Sequence, residues 1–181
     1  MEDKRYLTFA LGKGRLARQT LALLERIGIT CEAIDDNDTR RLIFVNEALR
    51  LKFFLAKGPD VPTYVEYGAA DIGVVGKDTI LEERRNVYEV LDLGFGRCKF
   101  ALAGPKNRDF FNGYSAKTIA SKYPNVTRSY FEGKGMDVRV IKIEGSVELA
   151  PLLGLSDAIV DIVETGSTLQ ENGLEVLETI V

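Results

Sequence analysis

The sequence contains no histidine. This absence excludes Ser-His and Cys-His catalysis, together with the commonest zinc sites, because each of them needs an imidazole. Any acid or base in a reaction must therefore be a carboxylate, a lysine or the substrate itself.

Cysteine is scarce, and long apolar runs are missing. The two cysteines, Cys31 and Cys98, form no CxxC motif and no disulfide framework, which indicates a reducing compartment. No apolar run approaches the length that is needed to span a bilayer. The first residues lack the apolar core of a secretory signal because Gly12, Lys13 and Gly14 interrupt it. We therefore expect a cytoplasmic protein that does not act at a membrane.

Positive charge is not in excess either. The net charge of −3 gives no reason to expect a nucleic-acid partner, which usually shows as a basic patch. An anionic ligand must then be bound by local donors. The chain has 181 residues, of which 45% are hydrophobic and 28% charged. A chain of this size buries roughly 70% of its unfolded surface, enough for one domain or two small lobes.

Short β-type runs alternate with helical patterns along most of the chain. The candidate strands are residues 6–11, 42–45, 51–56, 71–75, 99–103, 138–143 and 157–163. The helical patterns cover residues 16–28, 60–68 and 146–154. This order predicts an α/β protein with a largely parallel sheet. The polar, turn-rich residues 103–115 favour a break between two lobes that face a cleft.

The stretch DIVETGSTLQENG, residues 161–173, leaves an apolar run and passes through three hydroxyl side chains and a glycine. A phosphate needs converging donors, and a glycine-containing turn that enters a helix supplies main-chain N–H groups. The candidate phosphate ligands are Thr165, Gly166, Ser167 and Thr168. The alternative is an ordinary capped turn before one helical turn at residues 169–172.

An acidic residue precedes this turn. Asp161 lies near the end of the preceding strand, where its carboxylate can accept hydrogen bonds from a ribose diol, as acidic residues do in dinucleotide sites. The pattern G-x-x-x-x-G-K-[ST] does not occur in the sequence, which excludes a Walker A loop.

A second glycine-containing turn, LGKGRL at residues 11–16, follows the first predicted strand and opens the first long helix. Gly12 and Gly14 free the backbone, while Lys13 and Arg15 bring two cations to a helix N-terminus. Cations are electrostatically misplaced there unless an anion joins them. Two such turns suit a ligand with phosphates at both ends, and the alternative is a pair of solvated basic side chains.

Four segments of the sequence together resemble one known family. The segments are ALGKGRL, DVPTYVEYGAADIGVVGKD, LGFGRC and EGSVELAPLLGLSDAIVDIVETGSTLQENGL. They resemble, in order from about Leu11 to Val181, the short-form catalytic subunit of ATP phosphoribosyltransferase, the first enzyme of histidine biosynthesis. Within the last segment, the 13 residues 161–173 are similar to the family's phosphoribosyl-pyrophosphate motif, which is the most specific of the set.

The resemblance implies an activity and a fold. N1 of ATP attacks C1 of phosphoribosyl pyrophosphate, pyrophosphate leaves, Mg²⁺ assists, and no covalent enzyme intermediate forms. The implied fold is α/β, with two α/β lobes around a cleft, like the type II periplasmic binding proteins. The implied lobes are residues 1–92 plus 172–181, and residues 93–171.

The resemblance also implies site residues. Residues 164–168 are expected to bind the 5′-phosphate and Asp161 the ribose hydroxyls, while Lys13 and Arg15 meet pyrophosphate or triphosphate oxygens. The substrate-binding candidates are Gly12, Gly14, Lys57, Gly76, Lys77, Arg97, Glu148, Glu164, Thr165, Gly166, Ser167 and Thr168. Lys13, Arg15 and Asp161 are the catalytic candidates. For Arg97, a plain surface position is an equal alternative to a contact with ATP.

The implied partners are ATP, phosphoribosyl pyrophosphate and a regulatory subunit that resembles a histidyl-tRNA synthetase, assembled in a hetero-octamer. Alone, the chain is expected to be a homodimer with little activity. It ends at LEVLETIV, earlier than expected for the family, so a last strand and helix of the first lobe are expected to be absent.

Two other functions are alternatives to an ATP phosphoribosyltransferase. One is a non-catalytic, two-lobe solute-binding protein for a phosphorylated ligand, which is usually exported, yet the sequence has no recognisable signal segment. The other is a nucleotide-salvage phosphoribosyltransferase. Enzymes of that type place two adjacent acids before the phosphate turn, whereas here Asp161 is followed by Ile162.

Overall fold

The structure is a computed structural model that describes residues 5–31, 41–106, 109–113 and 116–181. The chain divides into two compact units, Met1–Gly96 (unit 1) and Arg97–Val181 (unit 2). None of the helices in the described ranges has the length and apolar character that crossing a lipid bilayer requires.

Unit 1 contains a four-stranded sheet in the order β2-β3-β1-β4. The elements are β1 (Leu7–Gly12), α1 (Arg15–Glu25), β2 (Ile43–Asn46), β3 (Leu51–Ala56), a 3₁₀ turn (Gly58–Asp60), α2 (Val61–Glu66), β4 (Ile72–Val74) and α3 (Lys77–Glu83). Strand β1 is parallel to both β3 and β4, whereas β2 is antiparallel to β3.

Alternation along β1 separates two apolar layers, because successive side chains of a strand point to opposite faces of the sheet. Leu11 packs with Phe53 and with Ala17 of α1, and the flanking leucines of α1 pack against the same cluster. Ala10 packs on the other face with Val61 of α2 and Ala70. Each face of the sheet is therefore covered by a helix, which explains why β1 and β3 are nearly continuous apolar runs.

Unit 2 contains a five-stranded sheet in the order β7-β6-β8-β5-β9. The elements are β5 (Lys99–Pro105), β6 (Lys117–Ser121), α4 (Pro124–Gly133), β7 (Val138–Lys142), α5 (Leu149–Leu152), β8 (Ala158–Val163), α6 (Ser167–Glu171) and β9 (Leu174–Thr179). Strand β6 is parallel to β7 and β8, whereas β5 is antiparallel to both β8 and β9.

One face of this sheet carries α5 and α6. Val163 of β8 and Leu169 of α6 belong to one buried cluster, together with Ala150 of α5. On β5, Ala101 belongs to the same cluster and lies directly opposite Asp161. Side chains directly opposite each other on paired strands share a face of the sheet. Asp161 is therefore on the face that carries α6.

The predicted α/β class is confirmed, and all seven predicted strands are present with ends shifted by at most two residues. Two strands were not predicted. β6 was missed because its apolar run is short and flanked by polar residues, and β9 because its charged side chains obscure the pattern. The sheets are mixed and not largely parallel, since β2 and β5 run against their neighbours.

The boundaries of the units differ from those expected. The division falls between Gly96 and Arg97, close to the expected boundary between residues 92 and 93, and not within residues 103–115, because β5 continues to Pro105 inside the second sheet. Of that stretch, residues 107–108 and 114–115 lie outside the described residues. Residues 172–181 were expected to join the first lobe, yet β9 pairs with β5 and belongs to unit 2.

Candidate functional site

The turn that links β1 to α1, residues 12–15, is called the β1 turn. Its Lys13 main-chain N–H donates to the Ala56 carbonyl at 2.9 Å, which fixes the end of β1 beside β3. Gly14 has φ 100 and ψ −143, a backbone conformation that residues other than glycine rarely adopt. The side chains of Lys13 and Arg15 are exposed. The turn therefore presents both cations to solvent at the start of α1.

Three loops of unit 1 begin at the same edge of its sheet. The register pairs Gly12 of β1 with Ala56 of β3, and Leu11 of β1 with Val74 of β4. Because these strands are parallel, the loops that follow them start side by side, and this edge is where ligands bind in open α/β sheets. The loops carry the predicted residues Lys13, Arg15, Lys57, Gly76 and Lys77. The structure thus brings the unit 1 candidates together at one sheet edge.

The helices at this edge differ in their first turns. Helix α1 has no acidic residue in its first turn, although an acidic side chain there would stabilise the helix. Helix α3 has Asp78 in its first turn, and a Cβ on Gly76 would lie 2.0 Å from the Asp78 Oδ1 atom. The Asp78 side chain therefore already occupies the space over Gly76. The N-terminus of α1 is the better place for an added anion.

Lys77 is engaged by the protein itself. Its ammonium group hydrogen-bonds and forms a salt bridge with the carboxylate of Glu89. Both side chains are about half exposed, so the pair is worth at most about 1 kcal/mol. Lys57 is exposed and Gly12 is buried at the same edge. A polyphosphate can thus compete with Glu89 for Lys77 at a small cost.

The turn that links β8 to α6, residues 164–168, is called the β8 turn. Gly166 precedes the helix in the left-handed conformation, with φ 80 and ψ 3. The Thr165 and Ser167 hydroxyl oxygens lie 3.0 Å apart, and the Ser167 N–H donates weakly to the Thr165 Oγ1 atom at 3.4 Å. The side chains of Thr165, Ser167 and Thr168 are all exposed. The turn therefore concentrates hydroxyl groups at a solvent-facing position.

Main-chain donors converge at the same turn. The Gln170 N–H donates to the Gly166 carbonyl at 3.2 Å, which is the first hydrogen bond of α6. The N–H groups of Ser167, Thr168 and Leu169 precede it, and N–H groups in that position have no intrahelical acceptor. The first turn of α6 contains no acidic residue. These donors can bind one tetrahedral anion.

Asp161 lies two residues before the end of β8. Its Oδ1 atom accepts a hydrogen bond from the Ile162 N–H at 2.8 Å, which orients the carboxylate beside its own strand. The residue is half-buried and shares a sheet face with Val163. A carboxylate held at this end of β8 can accept hydrogen bonds from hydroxyl groups of a ligand that is bound at the β8 turn.

A pocket of about 310 Å³ adjoins the β8 turn within unit 2. Its lining includes Thr165, Gly166 and Gln170 of the β8 turn and α6, together with Lys99 and Lys106. Neither lysine was predicted to be a site residue. Lys99 lies in the segment RCKF, which carries no recognisable motif, at the start of the strand that pairs with β8.

Arg97 and Glu148 are the remaining unit 2 candidates. Arg97 is exposed, two residues before β5. Glu148 is the half-buried residue that precedes α5. Nearby, the Lys142 ammonium donates to Glu144 at 2.8 Å, which lowers the pKa of that carboxyl below its ordinary value. That glutamate is therefore committed to an ion pair.

Carboxylates are dispersed through the parts of the chain that the structure describes. No group of three or more histidine, cysteine, aspartate or glutamate side chains is placed there to hold a metal ion. A cation at this protein would thus need most of its oxygen ligands from a substrate or from water.

The sequence and the structure were compared with known proteins. The sequence model of the HisG family, ATP phosphoribosyltransferase, matches residues 57–181. The ATP phosphoribosyltransferase of Lachnoclostridium phytofermentans is 60% identical over 178 residues, which are 97% of this chain and 83% of that protein. That of Clostridium kluyveri is 58% identical over 180 residues, covering 99% and 82% of the two chains.

One solved structure is similar along most of the chain. The ATP phosphoribosyl transferase (HisG:HisZ) complex from Thermotoga maritima aligns with a TM-score of 0.83 at 40% identity. The alignment covers 96% of this chain and 82% of that chain.

Proposed function

Because the chain belongs to the ATP phosphoribosyltransferase family, we infer that it transfers the phosphoribosyl group from phosphoribosyl pyrophosphate to N1 of ATP. The products are phosphoribosyl-ATP and pyrophosphate, and the reaction is the first step of histidine biosynthesis. The observation that carries the assignment is the β8 turn, where a left-handed Gly166 precedes a short helix among exposed hydroxyls. We propose that the enzyme acts in the cytoplasm.

Unit 2 binds the sugar phosphate in this proposal. The main-chain N–H groups and hydroxyls of the β8 turn surround the 5′-phosphate, with Glu164 contributing through its backbone. Asp161 accepts hydrogen bonds from the ribose hydroxyls, and its bond from the Ile162 N–H supports this role by fixing its orientation. Such contacts hold C1 of the ribose in position for attack, which lowers the entropic part of the barrier.

Unit 1 stabilises the charge that develops on the leaving group. Displacement at C1 passes through an oxocarbenium-like state, with positive charge on the sugar and negative charge on the departing pyrophosphate. Lys13 and Arg15 bind pyrophosphate or triphosphate oxygens, assisted by Lys57 and Lys77 at the same sheet edge. A preorganised donor of this kind stabilises a transition state by about 3 kcal/mol, so the reaction needs no histidine.

A magnesium ion fits the donor set only if substrate oxygens and water supply most of its ligands, as Mg²⁺ prefers at phosphate sites. The dispersed carboxylates of the described residues support this arrangement. When bound, Mg²⁺ neutralises the pyrophosphate charge. Glu164 is the exposed carboxylate of the β8 turn that can contact one of its waters.

The adenine nucleotide has two further candidate contacts. Arg97 is exposed at the start of unit 2, where its guanidinium can meet the triphosphate of ATP. Glu148 lies beside the nucleotide in this proposal, because it belongs to the segment EGSVE that resembles the family's pattern. Gly14, where an added Cβ would meet no atom within 4 Å, allows the substrate to approach the backbone at the edge of the unit 1 sheet, whereas Gly12 is buried and Asp78 covers Gly76.

The similarity to a HisG:HisZ complex supports a protein partner. We propose that the chain assembles with a regulatory subunit that resembles a histidyl-tRNA synthetase, in a hetero-octamer, and that alone it is a homodimer with little activity. Steady-state assays with and without that subunit test the dependence. Full, histidine-sensitive activity of the lone chain would contradict it.

Pyrophosphate release tests the reaction itself. With phosphoribosyl pyrophosphate and ATP, in the presence of the partner subunit, the chain should release pyrophosphate and form phosphoribosyl-ATP. Release with free nucleobases in place of ATP would indicate a salvage enzyme. Binding of phosphoribosyl pyrophosphate without turnover of either acceptor would indicate a solute-binding protein.

A further inference from the structure

Lys99 begins β5 directly opposite Val163, the last residue of β8 before the β8 turn. Val163 is buried beneath α6, in the cluster that contains Leu169. Since opposite residues of paired strands share a face, Lys99 lies on the α6 side of the sheet. Its side chain is exposed. The register thus places a lysine next to the β8 turn, although the two are far apart in sequence.

The 310 Å³ pocket joins Lys99 to that turn. Its lining includes Lys99 together with Thr165 and Gly166. Lys106 lines the pocket too, but its N–H donates to the Gly173 carbonyl at 3.3 Å, which places its backbone at the C-terminal end of α6. The pocket therefore contains two lysines, of which Lys99 belongs to the end that contains the turn.

Lys99 and Lys106 are the cationic side chains of the pocket lining. Neither lysine takes part in a salt bridge with another described residue. The lining also contains Glu164 and Glu175, so two positive and two negative side chains cancel. A phosphate monoester brings about two negative charges at neutral pH. The cation beside the turn is then the group that can offset this charge.

We propose that Lys99 is a further substrate-binding residue, whose ammonium group contacts the 5′-phosphate of phosphoribosyl pyrophosphate at the β8 turn. This role rests on the proposed function and adds a cationic contact to a turn whose other donors are neutral. A lysine suits the position because it is a compact point charge with three donors on a flexible stem. The contact is made equally in the ground state and the transition state, because the 5′-phosphate does not react.

The test compares Lys99→Met, Lys99→Arg and Lys106→Met in the full chain. Titration calorimetry with phosphoribosyl pyrophosphate and with ribose 5-phosphate should give about tenfold weaker binding for Lys99→Met, the usual effect of losing one charge-assisted hydrogen bond. Lys99→Arg should retain most of the affinity. Lys106→Met, the matched control in the same pocket, should bind within about twofold of the wild type, because Lys106 lies at the other end of α6.

Kinetics separate this role from a structural one. With the partner subunit present, Lys99→Met should raise the KM for phosphoribosyl pyrophosphate and leave kcat and the KM for ATP nearly unchanged, which is the pattern of lost uniform binding. Circular dichroism and thermal unfolding should match the wild type, since Lys99 is exposed.

The results distinguish a failure of the Lys99 contact from a failure of the proposed function. Suppose that the wild type binds phosphoribosyl pyrophosphate and catalyses the reaction. If Lys99→Met then binds both ligands as tightly as the wild type does, the role of Lys99 is wrong and the proposed function stands. If Lys99→Met and Lys106→Met weaken binding equally, the effect is one of general charge and the specific contact is wrong. If the wild type binds neither ligand, both the contact and the proposed function fail.

Discussion

The β1 turn and the β8 turn are both proposed to bind phosphate groups, but they present different chemical groups. Both follow an inner strand of a sheet, contain a glycine with positive φ, and lead into a helix without an acidic residue in its first turn. The β1 turn presents exposed cations, Lys13 and Arg15. The β8 turn presents the neutral hydroxyls of Thr165 and Ser167, 3.0 Å apart, together with main-chain N–H groups.

The difference matches the charge that each turn would meet. A pyrophosphate group gains negative charge as it departs, and full positive charges placed beside it stabilise that change more than neutral donors do. A 5′-phosphate keeps its charge through the reaction, so fixed main-chain and hydroxyl donors can hold it together with the neighbouring Lys99. We infer that cationic turns mark the reacting phosphates of this enzyme and hydroxyl-rich turns the anchoring one.

The largest effect is expected from Gly166→Val. A branched side chain at φ 80 would strain the backbone or displace the β8 turn, and several donors to a charged phosphate would be lost together. Two such hydrogen bonds correspond to about 4 kcal/mol, so binding of phosphoribosyl pyrophosphate should weaken about 1000-fold, measured by calorimetry.

The matched control for that change is Gly135→Val. Gly135 also has positive φ, at 66, with no atom near an added Cβ, but it follows α4, whereas residues 164–168 precede α6. It should carry the same backbone strain and leave binding intact. If both variants lost binding equally, the effect would be one of folding and the role of Gly166 would not be supported.

The next effect is expected from Lys13→Met, which removes one cation from the β1 turn. The loss of a preorganised donor to the leaving group should lower kcat roughly 100-fold, with a much smaller change in the affinity for ribose 5-phosphate. Arg18→Met is the control, because Arg18 is an exposed cation of α1 that lies beyond the β1 turn. Equal losses in the two variants would point to the general field of α1 and would contradict a specific role for the β1 turn.

A smaller effect is expected from Thr165→Ala and Ser167→Ala. Each variant removes one neutral hydroxyl donor worth about 1 kcal/mol, so each should weaken binding of phosphoribosyl pyrophosphate about fivefold. In the double variant the losses should not simply add, because the two hydroxyls contact each other. An unchanged affinity in both single variants would leave the main-chain donors as the only part of the β8 turn that binds phosphate.

The smallest effect is expected from Glu89→Gln, which releases Lys77 from its salt bridge. An exposed pair of this kind contributes well under 1 kcal/mol, so the affinity for pyrophosphate should rise by about threefold at low salt. Lys77→Met with Glu89→Gln should lose that gain. If Glu89→Gln changed nothing, Lys77 would be a surface residue and not a ligand of the leaving group.

Features that depend on residues close together in sequence could be predicted, whereas features that depend on contacts between distant residues could not. The two turns were predictable because glycine, hydroxyl and cation patterns act within a few residues, as at Gly14 and Gly166. The strand β6 was not, since its five residues become a central strand only through neighbours that are distant in sequence. Lys99 was missed for the same reason, because only the pairing of β5 with β8 brings it beside the β8 turn.

The edge strands show the same limit. In β9, LEVLET, the alternation of apolar and charged residues breaks at Leu177, and nothing local in the segment specifies β5 as its partner. The expected return of residues 172–181 to the first lobe therefore gave way to pairing within unit 2. The direction of β5 relative to its neighbours could not be predicted either, because its sequence is an apolar run whether the neighbouring strands are parallel or antiparallel.

Amide chemical shifts during ligand titration test the division of labour between the two turns most directly. Ribose 5-phosphate should shift the N–H resonances of Gly166, Ser167 and Thr168, and pyrophosphate should shift those of Lys13 and Arg15. The account predicts two separate sets of shifted amides, one for each ligand. If ribose 5-phosphate left the β8 turn unchanged, or if both ligands shifted the same set, the assignment of anchoring and reacting phosphates to different turns would be contradicted.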